Sequence, residues 1–312
     1  MIFPELIRDE IQKLCSAENT GTLTEISRRI SEGYRSDKAN RTITAHREIL
    51  AYAAARMPAT FGAVSRAIEL SLPCFEGEIR SVADYGAETG AGIISTAMLC
   101  ECEELFAYEK ELEMLKLGSH FCGLLDIPVN WEQFDFSKDF PKRKTDLAVC
   151  SYCLNELPEA AREKTLAAIT DNAERIIIVE PGTPFSFLQM KKIRASLIER
   201  GFSIAAPCPH NEECPLPDND WCHFSERIQR SALHKRLKGG DAPYEDEKFC
   251  FIAAQKNAVP VTARIIRKPI IQSGKITLSL CTENGIENRV VTKSNPHFKQ
   301  ARKADTGGSF PE

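Results

Sequence analysis

From Val82 onward the apolar residues come in short runs separated by stretches with helical spacing. The runs are Val82 to Tyr85, Leu105 to Tyr108, Leu147 to Ser151, Ile176 to Val179 and Phe202 to Ala206. Near-continuous apolar runs of strand length that alternate with helical segments predict a parallel sheet covered on both faces. The intervening helices are expected at Gly90 to Cys100, Glu159 to Ala173 and Pro184 to Arg200, the last with proline in its first turn, where its missing N–H is tolerated. Residues 1–75 follow another rhythm. Phe61, Val64 and Ile68 share one helical face and strand-like alternation is scarce, which predicts a helical cap. After Ala206 the strand rhythm stops in a stretch rich in Pro, Cys, Asp and charge, and resumes at Phe249 to Ala253, as an insertion over 207–247 would produce. The tail predicts strands around Ile270, Leu278 to Leu280 and Val290 to Val291, broken by turns at Ser273-Gly274 and Asn284-Gly285. The expected organisation is a cap over 1–75, an α/β domain over 76–257 carrying the insertion, and a small β-module with tail over 258–312.

Composition narrows the function. A chain of 312 residues that is 43% hydrophobic and 27% charged is not disordered throughout. Its net charge of −4 means that any nucleic-acid role must come from a local basic region. Two such regions exist. Arg227, Arg230, Lys235, Arg236 and Lys238 cluster in the insertion, and between Val261 and Lys303 the tail carries Arg264, Arg267, Lys268, Lys275, Arg289, Lys293, Lys299, Arg302 and Lys303 against only Glu283 and Glu287. Together they are expected to offer one phosphate-binding face, with His297 and Phe298 as stacking candidates. No apolar run reaches membrane-spanning length, and Glu5, Asp9 and Glu10 are unlike a signal or transit peptide, so the expectation is a cytoplasmic protein with no membrane partner. Twelve cysteines without a secretory signal then point to metal or cluster ligation before disulfides.

The stretch Asp84-Tyr85-Gly86-Ala87-Glu88-Thr89-Gly90-Ala91-Gly92 follows a strand and opens a helix, the place where glycines let backbone approach a nucleotide-like ligand. Glu109, closing the next strand, suits ribose hydroxyls, and Asp135, after the third strand-like segment, suits an adenine amino group. The arrangement resembles class I S-adenosylmethionine-dependent methyltransferases, with Asp84, Gly86, Gly90 and Gly92 in the turn. The central glycine of that pattern is replaced by Glu88, which adds bulk and charge where the methionine end of S-adenosyl-L-methionine would lie. At the end of the fourth strand, Tyr152, Asn155 and Glu156 are expected to line the cleft, and Glu180-Pro181-Gly182 its edge. Cys150 and Cys153 read as buried or cleft-lining thiols, since the Cys-x-x-Cys spacing lacks a thioredoxin-like context.

Cys208, Cys214 and Cys222 fall close together in a proline-rich loop, and soft thiolates at short range select zinc, copper(I) or iron–sulfur clusters. Spacing alone favours zinc, with His210 or His223 as a fourth ligand. The segments Val179-Glu180-Pro181-Gly182-Thr183-Pro184, Ala206-Pro207-Cys208-Pro209-His210, Cys214-Pro215-Leu216, Asp220-Trp221-Cys222-His223-Phe224, His234-Lys235-Arg236-Leu237-Lys238-Gly239-Gly240 and Tyr244-Glu245-Asp246-Glu247-Lys248-Phe249 make the match more specific. With Arg56-Met57-Pro58-Ala59-Thr60 in the cap, they resemble the Rsm-twenty-two family, methyltransferase-like proteins of the mitochondrial small ribosomal subunit and their bacterial relatives. The resemblance implies a Rossmann-like class I methyltransferase fold, association with small-subunit ribosomal RNA (rRNA) during ribosome assembly, and a 4Fe-4S cluster on four cysteines. Three of these match Cys208, Cys214 and Cys222; Cys281 is the fourth by preference and Cys250 the competitor. Two functions follow: an RNA-binding assembly factor acting in translation, or an active methyltransferase of rRNA or ribosomal protein whose metal is structural. Radical chemistry is disfavoured because the compact Cys-x3-Cys-x2-Cys loop is absent.

Overall fold

The computed structural model describes residues 1–35, 43–136, 138, 140–217, 219–258 and 261–311. Four helices come first: α1 (Glu5–Ser16), α2 (Thr20–Arg35), α3 (His46–Ala55) and α4 (Met57–Ser71). The expected alternation follows as β1 (Ser81–Tyr85), α5 (Ala91–Leu99), β2 (Glu104–Glu109), α6 (Leu112–Leu124), β3 (Asn130–Gln133), β4 (Thr145–Ser151), α7 (Glu159–Asn172), β5 (Ala173–Pro181), α8 (Pro184–Glu199) and β6 (Ser203–Ala206). The insertion supplies β7 (Phe224–Gln229) and α9 (Ala232–Lys238) before β8 (Tyr244–Gln255). The chain closes with β9 (Ala263–Ile265), β10 (Ile270–Gln272), β11 (Lys275–Thr282), β12 (Gly285–Thr292) and α10 (Phe298–Lys303).

The large sheet has the order β3-β2-β1-β4-β5-β8-β6. β1 to β5 run parallel, and β8 is antiparallel to both β5 and β6. Six parallel strands, β6 included, with the antiparallel β8 wedged before the last make this a Rossmann-like class I methyltransferase sheet, as expected. Successive residues of the central strands bury opposite faces. Val149, Ile177 and Val179 meet Phe61, Ile68 and Ile93 on the cap side, while Ala148, Ile176 and Ile178 meet Leu166, Met190, Ile193 and Leu197 of α7 and α8. α4, with Phe61, Val64 and Ile68 fully buried, is therefore a core helix of the sheet.

Three elements leave little trace in the sequence pattern. β3 is polar and mostly exposed at the sheet edge. β7 reads in sequence only as part of a charge run. It pairs antiparallel with the first half of β8, from Phe224↔Phe249 to Gln229↔Tyr244, while β6 pairs with the second half. β8 is thus longer than its apolar core, Phe249 to Ala253, suggests. α9, whose register is hidden in the same charge run, is the third. In the small sheet, order β10-β11-β12 with β9 also on β11, Ile276, Leu278 and Leu280 face a core that includes Ile265, Val291, Ala301 and Phe310. The opposite face of β11 directs Cys281 toward Cys214, Cys222, Phe187 and Ile266.

Candidate functional site

Ligands of open α/β sheets bind beyond the carboxyl ends of the strands, and the predicted cleft residues stand there. Asp84, near the end of β1, is fully buried. Its carboxylate points at the Ile93 amide of α5 without a well-formed hydrogen bond, and burial pushes its pKa up to about 7. Gly92 is required beside it, because a Cβ there would stand 2.5 Å from Asp84 Oδ2. Gly86 and Gly90 have φ of 76° and 90°, left-handed values that side chains disfavour. Between them Glu88 takes φ 49°, and its carboxylate accepts a hydrogen bond from the Tyr52 hydroxyl of α3. The residue that replaces a glycine therefore ties the helical cap to the turn.

Glu109, ending β2, accepts hydrogen bonds from the Glu88 and Glu111 amides at 2.7 Å each, so part of its capacity serves the turn itself; burial raises its pKa. Asp135 lies beyond β3, 3.8 Å from Lys110 Nζ and 3.6 Å from Lys138 Nζ. Tyr152, at φ 57°, donates its hydroxyl to Glu247 Oε1 at 3.1 Å. Arg56 of the cap pairs with the same carboxylate at 3.1 Å and sits 5.9 Å from the Tyr152 ring centroid. The Asn155 amide N–H donates to Glu180 Oε1 at 3.2 Å, while both atoms of its side-chain amide are buried without a partner. Glu180 is 1% exposed, its Oε2 has no partner, and burial pushes its pKa up to about 8. Glu156 is exposed. Cys150 and Cys153 bring their sulfurs to 2.8 Å, and Cys153 donates to the Tyr85 carbonyl at 3.4 Å. Tyr52 and Glu247 carried no local signal, because the contacts that bring them to the cleft cross 36 and 95 residues of chain.

The second site lies at the far side of the insertion. Cys208, Cys214, Cys222 and Cys281 all line one apolar cavity, together with His210, Leu216, Phe187 and Ile266. Burial raises the Cys208, Cys222 and Cys281 thiols, Cys281 to about 12, each thiol adding to its neighbours' reluctance to ionise; Arg194 and Arg264 oppose this at Cys208 and Cys281. Cys250 borders the same cavity, but its thiol donates to the Pro181 carbonyl at 3.4 Å and packs with the core of α7 and α8. His210 Nε2 lies 3.8 Å from Cys281 Sγ, and its Nδ1 is buried without a partner. His223 instead stacks on Trp221 at 5.3 Å. Among the described residues no three Cys, His, Asp or Glu side chains stand in the close geometry of a preformed metal site.

Ion pairing divides the basic residues into matched and unmatched ones. Arg227 pairs with Asp246 at 2.9 Å, Arg230 approaches Glu245 at 3.9 Å and Lys238 meets Glu245 at 2.6 Å. Burial alone would raise the Glu245 pKa, but the His234 ring, 3.2 Å away, and the Lys238 charge hold it down at about 2. Three of the insertion's five cations are thus matched by carboxylates of β8, which reduces what they can offer the expected phosphate-binding face. In the tail Arg264 is buried, Arg267 pairs with Asp220 at 2.5 Å and Arg289 with Glu287 at 2.5 Å. Lys268, Lys275, Lys293, Lys299, Arg302 and Lys303 stay exposed. His297 and Phe298 serve the fold: the His297 ring packs against Phe310 at 6.1 Å and Phe298 against the small core. Among the described residues no helix is long and apolar enough to cross a membrane.

Among known proteins, the chain is similar to the ribosome assembly protein METTL17, mitochondrial, of Homo sapiens, 26% identical over 293 residues that cover 84% of this chain. The chain spans 62% of that relative's length. Solved structures that resemble it include a putative RNA methyltransferase of Pyrococcus horikoshii (16% identity, 62% of this chain and 81% of that one, TM-score 0.43). Another is magnesium protoporphyrin IX methyltransferase of Synechocystis with bound S-adenosyl-L-homocysteine (13% identity, 74% and 100%, TM-score 0.43). The family model described as mitochondrial small ribosomal subunit Rsm22 matches residues 46–311, from the cap helix that carries Tyr52 to the end of the tail. On that match the chain belongs to the Rsm22 family.

Proposed function

We propose that this protein assists assembly of the small ribosomal subunit, holding a 4Fe-4S cluster on Cys208, Cys214, Cys222 and Cys281 and contacting rRNA through the exposed cations of its tail. The observation that carries this reading is the convergence of three insertion cysteines with one from β11 on a single cavity. The donor set fits. Four thiols on one apolar cavity, Cys281 buried and Cys208, Cys214 and Cys222 half-buried, with two buried arginines beside them suit an anionic thiolate-bound group. Such a cluster would supply four metal–sulfur bonds that tie β11 to the insertion, so its binding energy would be folding energy for the tail. Zinc on the same residues is the alternative occupant.

RNA contact is supported by family membership and by α10, where Lys299, Arg302 and Lys303 border a shallow depression and form no ion pair among the described residues. Small-subunit rRNA would be held there by its phosphates. The test of the cluster is anaerobic purification followed by visible absorption and by iron, sulfide and zinc analysis. Broad absorption near 400 nm with about four irons per chain supports the reading; stoichiometric zinc without sulfide replaces the cluster by a structural zinc site.

A second reading, methyl transfer from S-adenosyl-L-methionine to rRNA or ribosomal protein, is favoured by Asp84, Gly86, Gly90, Gly92 and Glu109 at the strand ends where that cofactor would sit. Asn155, with an unpartnered amide beside Glu180, suits an acceptor. Against it stands Glu88, bonded to Tyr52 inside the turn. Calorimetric titration with S-adenosyl-L-methionine decides: no heat at millimolar ligand leaves the assembly reading without catalysis.

A further inference from the structure

Arg194 of α8 and Arg264 of β9 are 6% and 2% exposed. Arg264 donates from Nε to the Pro207 carbonyl at 3.0 Å and from Nη1 to the Gly307 carbonyl at 2.6 Å. Arg194 donates from Nη2 to the His210 carbonyl at 2.8 Å, and its Nε makes no hydrogen bond. Among the described residues neither forms an ion pair with a carboxylate, whereas the equally enclosed Arg175 and Arg230 do. The two guanidinium groups hold the carbonyls at either end of the segment Pro207-Cys208-Pro209-His210, which borders the cysteine cavity together with Arg194.

Two buried cations without an anion are costly, because neither water nor a partner compensates their charge. Glu212 and Glu213 are exposed, and Asp220 is held by Arg267. The acidic groups left within reach are thiols: Cys74, whose sulfur Arg264 Nη2 meets at 3.8 Å, and the four cysteines of the cavity, the one set that both arginines adjoin. We propose that Arg194 and Arg264 are the counter-ions of a four-thiolate metal centre on Cys208, Cys214, Cys222 and Cys281, and that their charge selects a dianionic centre for this cavity. The inference rests on the cysteine reading proposed above. Four thiolates around a 4Fe-4S core of charge about +2, or around one zinc ion, carry about −2 in total, which two guanidinium groups balance. Three thiolates and a neutral His210 around zinc would carry about −1 and leave one arginine unmatched. The charge balance therefore favours the Cys281 thiolate over the His210 ring as fourth ligand.

The test begins with the full-length wild-type protein, stripped with a chelator and reloaded anaerobically with iron and sulfide, or with zinc. If it retains neither, the cysteine reading fails and this inference with it. If it loads, Arg194→Met and Arg264→Met are compared with Arg194→Lys and Arg264→Lys for metal loss to a competing chelator and for thermal midpoint with and without metal. The methionine variants are expected to hold the metal at least about tenfold more weakly, and to melt no lower than wild type once metal-free, since an unbalanced buried charge is gone. The lysine variants, which keep the charge, should retain the metal. The proposal is overturned if the methionine variants keep the metal as wild type does, or if methionine and lysine variants are weakened alike with and without metal. Either result reduces the arginines to hydrogen-bonding their loops.

Discussion

Glu88 is the residue at which sequence and structure bear most directly on activity. Its bulk was legible as a departure from the glycine pattern, but its bond to Tyr52 was not, since the partner lies on a helix 36 residues away. Replacing it by glycine suits the positive φ and removes the carboxylate. Glu88→Gly is expected to strengthen binding of S-adenosyl-L-methionine by about tenfold or more, read by calorimetry, and unchanged affinity would clear Glu88 as the obstacle. Asp84 and Glu180 are raised by burial to about 7 and about 8. A carboxyl whose folded pKa is raised binds its proton more tightly in the native state. Its stabilising effect is complete below the unfolded pKa and is lost as pH rises through the folded one. Stability should therefore decline from about pH 4.5 to about pH 8, with a slope of at most about 1.4 kcal/mol per unit for each group. Glu180→Gln should flatten that decline in chemical denaturation series at several pH values, and an unaltered slope would place the titration elsewhere.

At the scale of elements, the junction of β5 and β8 shows why the cleft edge is rigid. A Cβ on Gly182 would stand 2.7 Å from the Phe249 amide nitrogen and 2.8 Å from the Lys248 carbonyl carbon, both backbone atoms of β8. Gly182→Ala is expected to destabilise the protein by about 1–3 kcal/mol, measurable as a lowered thermal midpoint; a wild-type midpoint would mean that the strands separate easily. The apolar strands and the helices between them were readable because their residues alternate between two buried faces. β7 was not, because a polar strand announces itself only through its partner, and half of β8 that pairs with it is equally polar. The same pairing brings Arg227, Arg230 and Lys238 opposite Asp246 and Glu245, so a run that reads as basic folds into a matched hairpin.

For the molecule as a whole, the cysteine cavity joins the tail sheet to the α/β body. If the metal spans it, Cys281→Ser should lower cluster absorbance and expose β9–β12 to limited proteolysis, while the parallel sheet stays protected; a tail as resistant as in wild type would show that the small core of Ile276, Leu278 and Leu280 suffices. Removing Lys299, Arg302 and Lys303 together should weaken binding to a small-subunit rRNA fragment. It should also reduce the salt dependence by about 0.7 to 0.9 in log–log slope for each phosphate that is no longer neutralised. A slope identical to wild type would move the RNA surface away from α10.

The fold class, the helical cap, the glycine turn with its missing central glycine and the cysteine-rich insertion were determined by local sequence, because spacing, turn chemistry and buried alternation are short-range properties. Tertiary structure alone decided which charges remain available, that Tyr52 and Arg56 close on the cleft, and that Cys281 faces the cysteine cavity while the Cys250 thiol turns to Pro181. It also placed Arg194 and Arg264 together without carboxylates. Each of these joins residues far apart in the chain, where burial and a neighbour's charge set the chemistry, and neither exists until the sheet and the tail have packed.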